Sequence, residues 1–209
     1  MLIYGNRIVA KTYLIVKKEI LKYLSKYTKI TNELENAITE NTFIKSFNKG
    51  TMLLSEGDVS TECYFLLKGC VRSYIIEKGE EKTVEFYTEE QVVTPSNYGK
   101  STPSNYYLEC IENVIVSVGN PKLEEETFQK YPQLESLSRV IAEIIMAKNQ
   151  DSFAKFKTSN PEERYLDMLK TRPELIQRVP QYQIASYLGV KPESLSRIRK
   201  RIFDKKVIS

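Results

Sequence analysis

The chain has 209 residues, 41% of them hydrophobic and 28% charged, with a formal net charge of +4. That composition excludes a disordered chain, the length suits one large domain or two modest ones, and no apolar run approaches the roughly 20 residues of a membrane helix. Histidine is absent and the three cysteines, Cys63, Cys70 and Cys110, lie far apart, which excludes histidine-based nucleophilic catalysis, imidazole-bound zinc or haem, a disulfide framework, and a four-thiolate cluster held by this chain alone.

The early apolar run from Tyr13 to Val16 is cut off by Lys17-Lys18. It lacks the features of a secretory signal, so a cytoplasmic protein with buried, reduced thiols is expected. Residues 8–39 read as helix: Ile20, Leu21, Leu24, Tyr27, Leu34 and Ile38 recur at roughly helical spacing, and Thr31-Asn32-Glu33 offers a helix start. Residues 1–20 fit an extra helix packed on the following domain or a docking segment for a partner.

From Phe43 to Val118 the texture turns to short strands. The predicted ones are Phe43–Phe47, Met52–Ser55, Tyr64–Leu67, Val71–Ile76, Thr83–Tyr87, Tyr106–Cys110 and Val114–Val118, punctuated by glycine turns such as Glu56-Gly57-Asp58 and Lys68-Gly69. About seven strands at this spacing predict an antiparallel barrel or sandwich. Within it Thr94-Pro95-Ser96-Asn97-Tyr98 recurs as Thr102-Pro103-Ser104-Asn105-Tyr106. The repeat shapes either a ligand site, with Tyr98, Lys100, Asn105 and Tyr106 as its candidates, or a plain polar loop.

Helical periodicity returns with a short helix over Leu123–Tyr131 and a long one from Gln133 to about Lys157. The long helix carries Leu137, Val140, Ile141, Ile144, Ile145, Phe153 and Phe156 as an apolar stripe. The stripe faces its own domain or forms a two-helix dimer seam, which Asp151 interrupts. Ser159-Asn160-Pro161-Glu162-Glu163 opens the next helix, which ends near Arg172-Pro173. The division expected is 1–131, 132–157 and 158–209.

Charge is uneven. Eight basic side chains stand against two acidic ones between Arg178 and Ser209, a local +6 that leaves −2 for residues 1–177. Either a polyanion meets that end or it is a solvated basic tail. Gln181 to Ile202 favours the polyanion. Ile184, Leu188, Val190, Leu195 and Ile198 fall at the apolar positions of a helix-turn-helix, Ala185 at the helix crossing, and Gly189 at the turn. Pro192-Glu193 starts the second helix. Its exposed face would hold Glu193, Ser196 and Arg197 for bases, while Gln181, Ser194, Arg199, Lys200 and Arg201 suit phosphates.

Taken together, roughly residues 25–205 resemble the Crp/Fnr superfamily of bacterial transcription regulators. Lys49-Gly50-Thr51, Glu56-Gly57-Asp58 and Tyr64-Phe65-Leu66-Leu67-Lys68-Gly69 resemble the glycine-marked turns of its cyclic-nucleotide-binding β-roll. Val179 to Val190 and Pro192 to Ile198 closely resemble the helix-turn-helix of Crp-like regulators in the Bacteroidetes. The resemblance implies an α+β fold: an antiparallel β-roll (a double-stranded β-helix) with flanking helices, a long dimerisation helix over 132–157, and a C-terminal helix-turn-helix domain. It implies a homodimer on near-palindromic double-stranded DNA, contact with RNA polymerase, a small-molecule effector, and no membrane. Glu193, Ser196 and Arg197 match the family's base-reading Glu-x-x-Ser-Arg pattern, associated with half-sites of the TTGA type.

Three departures qualify this. Pro192 stands where the cyclic-AMP receptor has a base-contacting arginine, and the sequence has no β-wing after the recognition helix. Between Glu90 and Glu109 the Gly-Glu and Arg-Ser pairs of the phosphate cassette are missing, and arginine is the group that would neutralise a cyclic phosphate. Cyclic AMP is therefore not expected to bind there, and no cofactor is expected. The competing reading is a ligand-binding or protein-interaction β-roll without a gene-regulatory role. Catalysis has no support, since neither a nucleotide loop nor a paired-carboxylate motif occurs, and nothing in the pattern supports redox sensing by the thiols.

Overall fold

The computed structural model describes residues 17–208. Residues 17–24 are helical (α1), followed by α2 (Asn32–Glu40). Eight strands come next: β1 (Phe43–Phe47), β2 (Met52–Leu54), β3 (Cys63–Lys68), β4 (Val71–Glu77), β5 (Glu80–Tyr87), β6 (Val92–Val93), β7 (Tyr107–Cys110) and β8 (Val114–Gly119). Six further helices complete the chain: α3 (Pro121–Lys130), α4 (Pro132–Thr158), α5 (Pro161–Thr171), α6 (Leu175–Arg178), α7 (Gln181–Tyr187) and α8 (Pro192–Ile208).

The strands form two antiparallel four-stranded sheets, ordered β1-β8-β3-β6 and β2-β7-β4-β5. Alternation fixes which side chains face inward. On β3, Tyr64 and Leu66 point into the roll while Phe65 and Leu67 point outward, and on β8 Val114, Val116 and Val118 point inward and Ile115 outward. The inward set joins Leu54, Val71, Val93, Leu108 and Cys110 in one core. The outward set of the first sheet is covered by α1, α2 and the start of α4 through Ile20, Tyr23, Leu34, Ile38, Leu137 and Ile141.

Helix ends follow local chemistry. The Thr31 hydroxyl accepts from the Leu34 amide at 3.2 Å, and Asn120 accepts from Leu123 at 2.9 Å ahead of Pro121. Asn160 and Glu163 form a reciprocal capping box before α5. The continuous helix expected over 8–39 is corrected: 25–31 break it, because Thr31 is a better helix start than an interior residue. Residues 8–16 of that expectation lie outside the described residues. Two-residue β6 escaped the pattern reading, being too short to show alternation. The helix expected from Leu123 begins at Pro121 instead, where the capping asparagine precedes a proline.

Gly69 joins β3 to β4 at φ +100°, and a Cβ there would lie 2.5 Å from the Asn113 carbonyl oxygen and 2.7 Å from a Val114 methyl. Backbone strain and overpacking together give an expected loss of roughly 2–5 kcal/mol for Gly69→Ala, read as a lower midpoint in urea unfolding. An unchanged midpoint would show that the β8 backbone yields.

Candidate nucleic-acid interface

The C-terminal helices pack on one apolar centre: Tyr165, Met168, Leu175, Val179, Ile184, Ala185, Leu188, Leu195, Ile198 and Ile202. Helix α7 ends in a Schellman arrangement: the Gly189 amide donates to Ser186 O at 3.0 Å and the Val190 amide to Ala185 O at 2.9 Å. Gly189 has φ +73°, a conformation glycine adopts without Cβ strain. Arg164 of α5 stacks over the Phe156 ring at 3.8 Å and donates to Leu188 O at 3.1 Å, tying the turn to the last turns of α4.

Helix α8 buries Leu195, Ile198 and Ile202. At roughly 100° per residue, Glu193, Ser196, Arg197 and Lys200 fall within a single arc opposite that stripe, and all four are exposed. Glu193, Ser196 and Arg197 occupy the first two turns. The flanking residues are anchored: Arg199 donates to Gln181 Oε1 at 2.6 Å, and Arg201 pairs with Glu162 at 3.2 Å. Ser194 is half-buried beside Arg197 in a groove of about 660 Å³ between α5 and α8.

This unit does not stand apart from the roll. Cys70, Phe86 and Ile111 belong to its apolar centre, and Phe86 meets Tyr187 edge-on at 5.4 Å. Arg178 donates to both Glu89 oxygens at 2.8 and 2.9 Å and to Glu112 at 2.8–3.3 Å. Arg172 pairs with Glu85 at 2.7 Å and also reaches Phe86 O. Ser186 Oγ accepts from the Thr83 amide at 2.9 Å and donates to Glu81 O at 3.2 Å. Sequence reading counted Arg178 among the basic residues of the C-terminal end and missed its partners. They lie 66 and 89 residues away in the chain, and local spacing carries no trace of them.

In the roll, two of the four residues singled out for an effector, Lys100 and Tyr106, both reach Ser96. The Tyr106 hydroxyl accepts from the Ser96 amide at 3.0 Å and Lys100 Nζ donates to Ser96 O at 3.3 Å. Tyr98 lies beside Cys63 and Glu124, and burial raises its pKa. Asn105 is exposed. Between the two repeats, buried Asn97 donates to Asp58 O at 3.2 Å and to Thr102 O at 2.8 Å. Arg72, 1% exposed, stands on the outer face of the second sheet, bonded to Thr83 and Glu81 and stacked on Tyr74.

Comparison with protein families matches residues 44–128 to the cyclic nucleotide-binding domain. Over 79–84% of its length the chain shares its fold with solved structures of Crp/Fnr-family regulators. One is the c-di-GMP-responsive global regulator CLP of Xanthomonas campestris, with 14% identity, TM-score 0.62, and 82% of this chain and 91% of that one covered. Another is FixK2 from Bradyrhizobium japonicum, with 20% identity, TM-score 0.61, and 79% and 86% covered. A third is CprK in complex with OCPA, with 18% identity, TM-score 0.59, and 84% of each chain covered. No curated protein matches the sequence.

The β-roll holds all three thiols. Burial pushes Cys63 up to about 11 and Cys70 and Cys110 up to about 12, and the latter two are fully buried. None is a thiolate at neutral pH. An aromatic disulfide reagent at pH 8 is expected to leave Cys70 and Cys110 unmodified in the native protein and to titrate three thiols in urea; fast labelling of either in the native state would contradict this burial. No helix among the described residues is long and apolar enough to cross a membrane.

Proposed function

We propose that the protein is a homodimeric, sequence-specific transcription regulator of Crp/Fnr type. The observation that carries it is the outer face of α8. Glu193, Ser196 and Arg197 stand together, exposed, in its first two turns, directly after a left-handed glycine turn. A recognition helix presents its N-terminal residues to base edges in this manner. Arg197 suits guanine and Glu193 the cytosine amino group. Lys200 shares that face and suits a phosphate, while Gln181, Ser194, Arg199 and Arg201 flank it as further backbone contacts. Helix α4 supplies the dimer seam. Val140 and Ile144 are 42% and 40% exposed in the single chain, continuous with buried Leu137 and Ile141. Leu137, Val140, Ile144, Ala147 and Ala154 fall on alternating three- and four-residue steps, which Asp151 interrupts. The three-part division at 132 and 158, a cytoplasmic setting, contact with RNA polymerase and the absence of catalysis belong to the same reading.

The effector is something other than cyclic AMP, or the regulator works without one. In the loop between the repeats, the Ser96 amide and carbonyl already have partners in Tyr106 and Lys100, and no arginine stands between Glu90 and Glu109. Selection from a random duplex library at physiological salt tests the main reading: the expected result is a near-palindrome with half-sites about one helical turn apart. Binding without sequence preference would favour the competing reading, a roll that binds ligands or proteins without regulating genes. Calorimetric titration with cyclic AMP is expected to show no heat at micromolar concentrations, and micromolar affinity would overturn that part.

A further inference from the structure

Every residue from Met146 to Thr158, the second half of α4, is exposed. Helix α5 follows after only Ser159 and Asn160. The end of α4 is held to α5 where Lys155 pairs with Asp167 and where the Arg164 guanidinium lies over the Phe156 ring at 3.8 Å. Arg164 also reaches beyond these two helices. Its Nη1 donates at 3.1 Å to Leu188 O, at the end of α7, where a helix leaves carbonyls unpaired. Gly189, Val190 and Lys191 alone separate that carbonyl from the start of α8. A Cβ on Gly189 would lie 3.4 Å from Arg164 Nη1 and 3.9 Å from Phe156 Cζ, so the stacked pair sits directly against the turn.

The fold by itself does not call for a cation here. Arg164 Nε is buried with no hydrogen-bond partner among the described residues, and an unmade buried donor costs free energy. An apolar side chain would cover Phe156 without that cost, but it would leave the Leu188 carbonyl unheld. We propose that Arg164 is a positioning residue that determines sequence specificity. By holding the turn between α7 and α8 against the end of α4, it fixes the pose in which α8 offers Glu193, Ser196 and Arg197 to bases, and it contacts no base itself. Groups that read a ligand discriminate well only when held to within about 0.5 Å of their proper geometry. All three stand within the six residues after Lys191, so a shift of the turn moves them as one body.

The inference rests on the DNA-binding reading above, and the test separates the two. Random duplex selection is run with the full-length protein, wild type and Arg164→Lys, and each profile is read position by position. Lysine keeps the charge and a donor, but it has no flat guanidinium to lie on Phe156 while reaching Leu188. The expected result is that preference flattens at all half-site positions together, and that the ratio of operator to scrambled-duplex affinity falls about tenfold. A profile relaxed at one position would mark a base contact, and a wild-type profile with all sequences bound more weakly would mark a merely structural role; either overturns the proposal. Should Arg164→Lys fail to fold, judged by circular dichroism, Phe156→Leu is read in its place. Phe156 is 39% exposed, so this change spares the core, and the same flattening is expected. An unaltered profile from the folded variant overturns the role of Arg164 alone. Failure of the wild type to select any operator overturns the DNA-binding reading, and this inference with it.

Discussion

Ile144→Asp is expected to convert the protein to a monomer in sedimentation at micromolar concentration and to weaken operator binding by about 100-fold or more. Ile144 is 40% exposed in the single chain, so the substitution leaves the monomer core intact. In the proposed seam a two-fold axis sets the new carboxylate near its own copy, in a place from which water is excluded. An unpaired buried charge costs several kcal/mol, more than a short helix pair recovers. Joining two heads makes the second half-site contact intramolecular, a gain of about 10²–10⁴ in avidity that the monomer forgoes. Unfolding midpoint and circular dichroism serve as controls. A variant that stays dimeric would remove α4 as the seam.

Arg197→Ala is expected to cost roughly 1–3 kcal/mol on the selected operator and to relax one base position per half-site. Arg197 lies in the second turn of α8, opposite buried Leu195 and Ile198, so its loss leaves packing untouched. Lys200→Ala is the contrast. On the same face but suited to a phosphate, it is expected to weaken all sequences about equally and to lower the salt slope by about one. Should Arg197→Ala weaken operator and scrambled duplex alike, Arg197 contacts phosphate and the base readers must be sought elsewhere on α8. Anchored Arg199 offers a third outcome: its bond to Gln181 fixes the start of α7, so its substitution would shift the pose of the unit as well as its charge.

What depends on neighbours within a few turns is legible along the chain. Alternation along β3 and β8 separates Tyr64 and Leu66 from Phe65 and Leu67, and Val114, Val116 and Val118 from Ile115, because strand side chains alternate whatever lies across the sheet; the packing then decides which set faces inward. The Ile184-to-Ile198 spacing with Gly189 located the two C-terminal helices, because the left-handed turn and the apolar stripe are both local requirements. Tertiary structure alone decided the rest. It paired Arg178 with Glu89 and Glu112, laid Ser186 along the edge of β5, and buried Arg72 on Tyr74 among carboxylates. It also sent Tyr98 towards Cys63 while Tyr106 and Lys100 closed on Ser96. Charged and polar side chains reach partners through space. Their spacing along the chain is free, so a composition that reads as a basic end turns out, in part, to be an internal clamp.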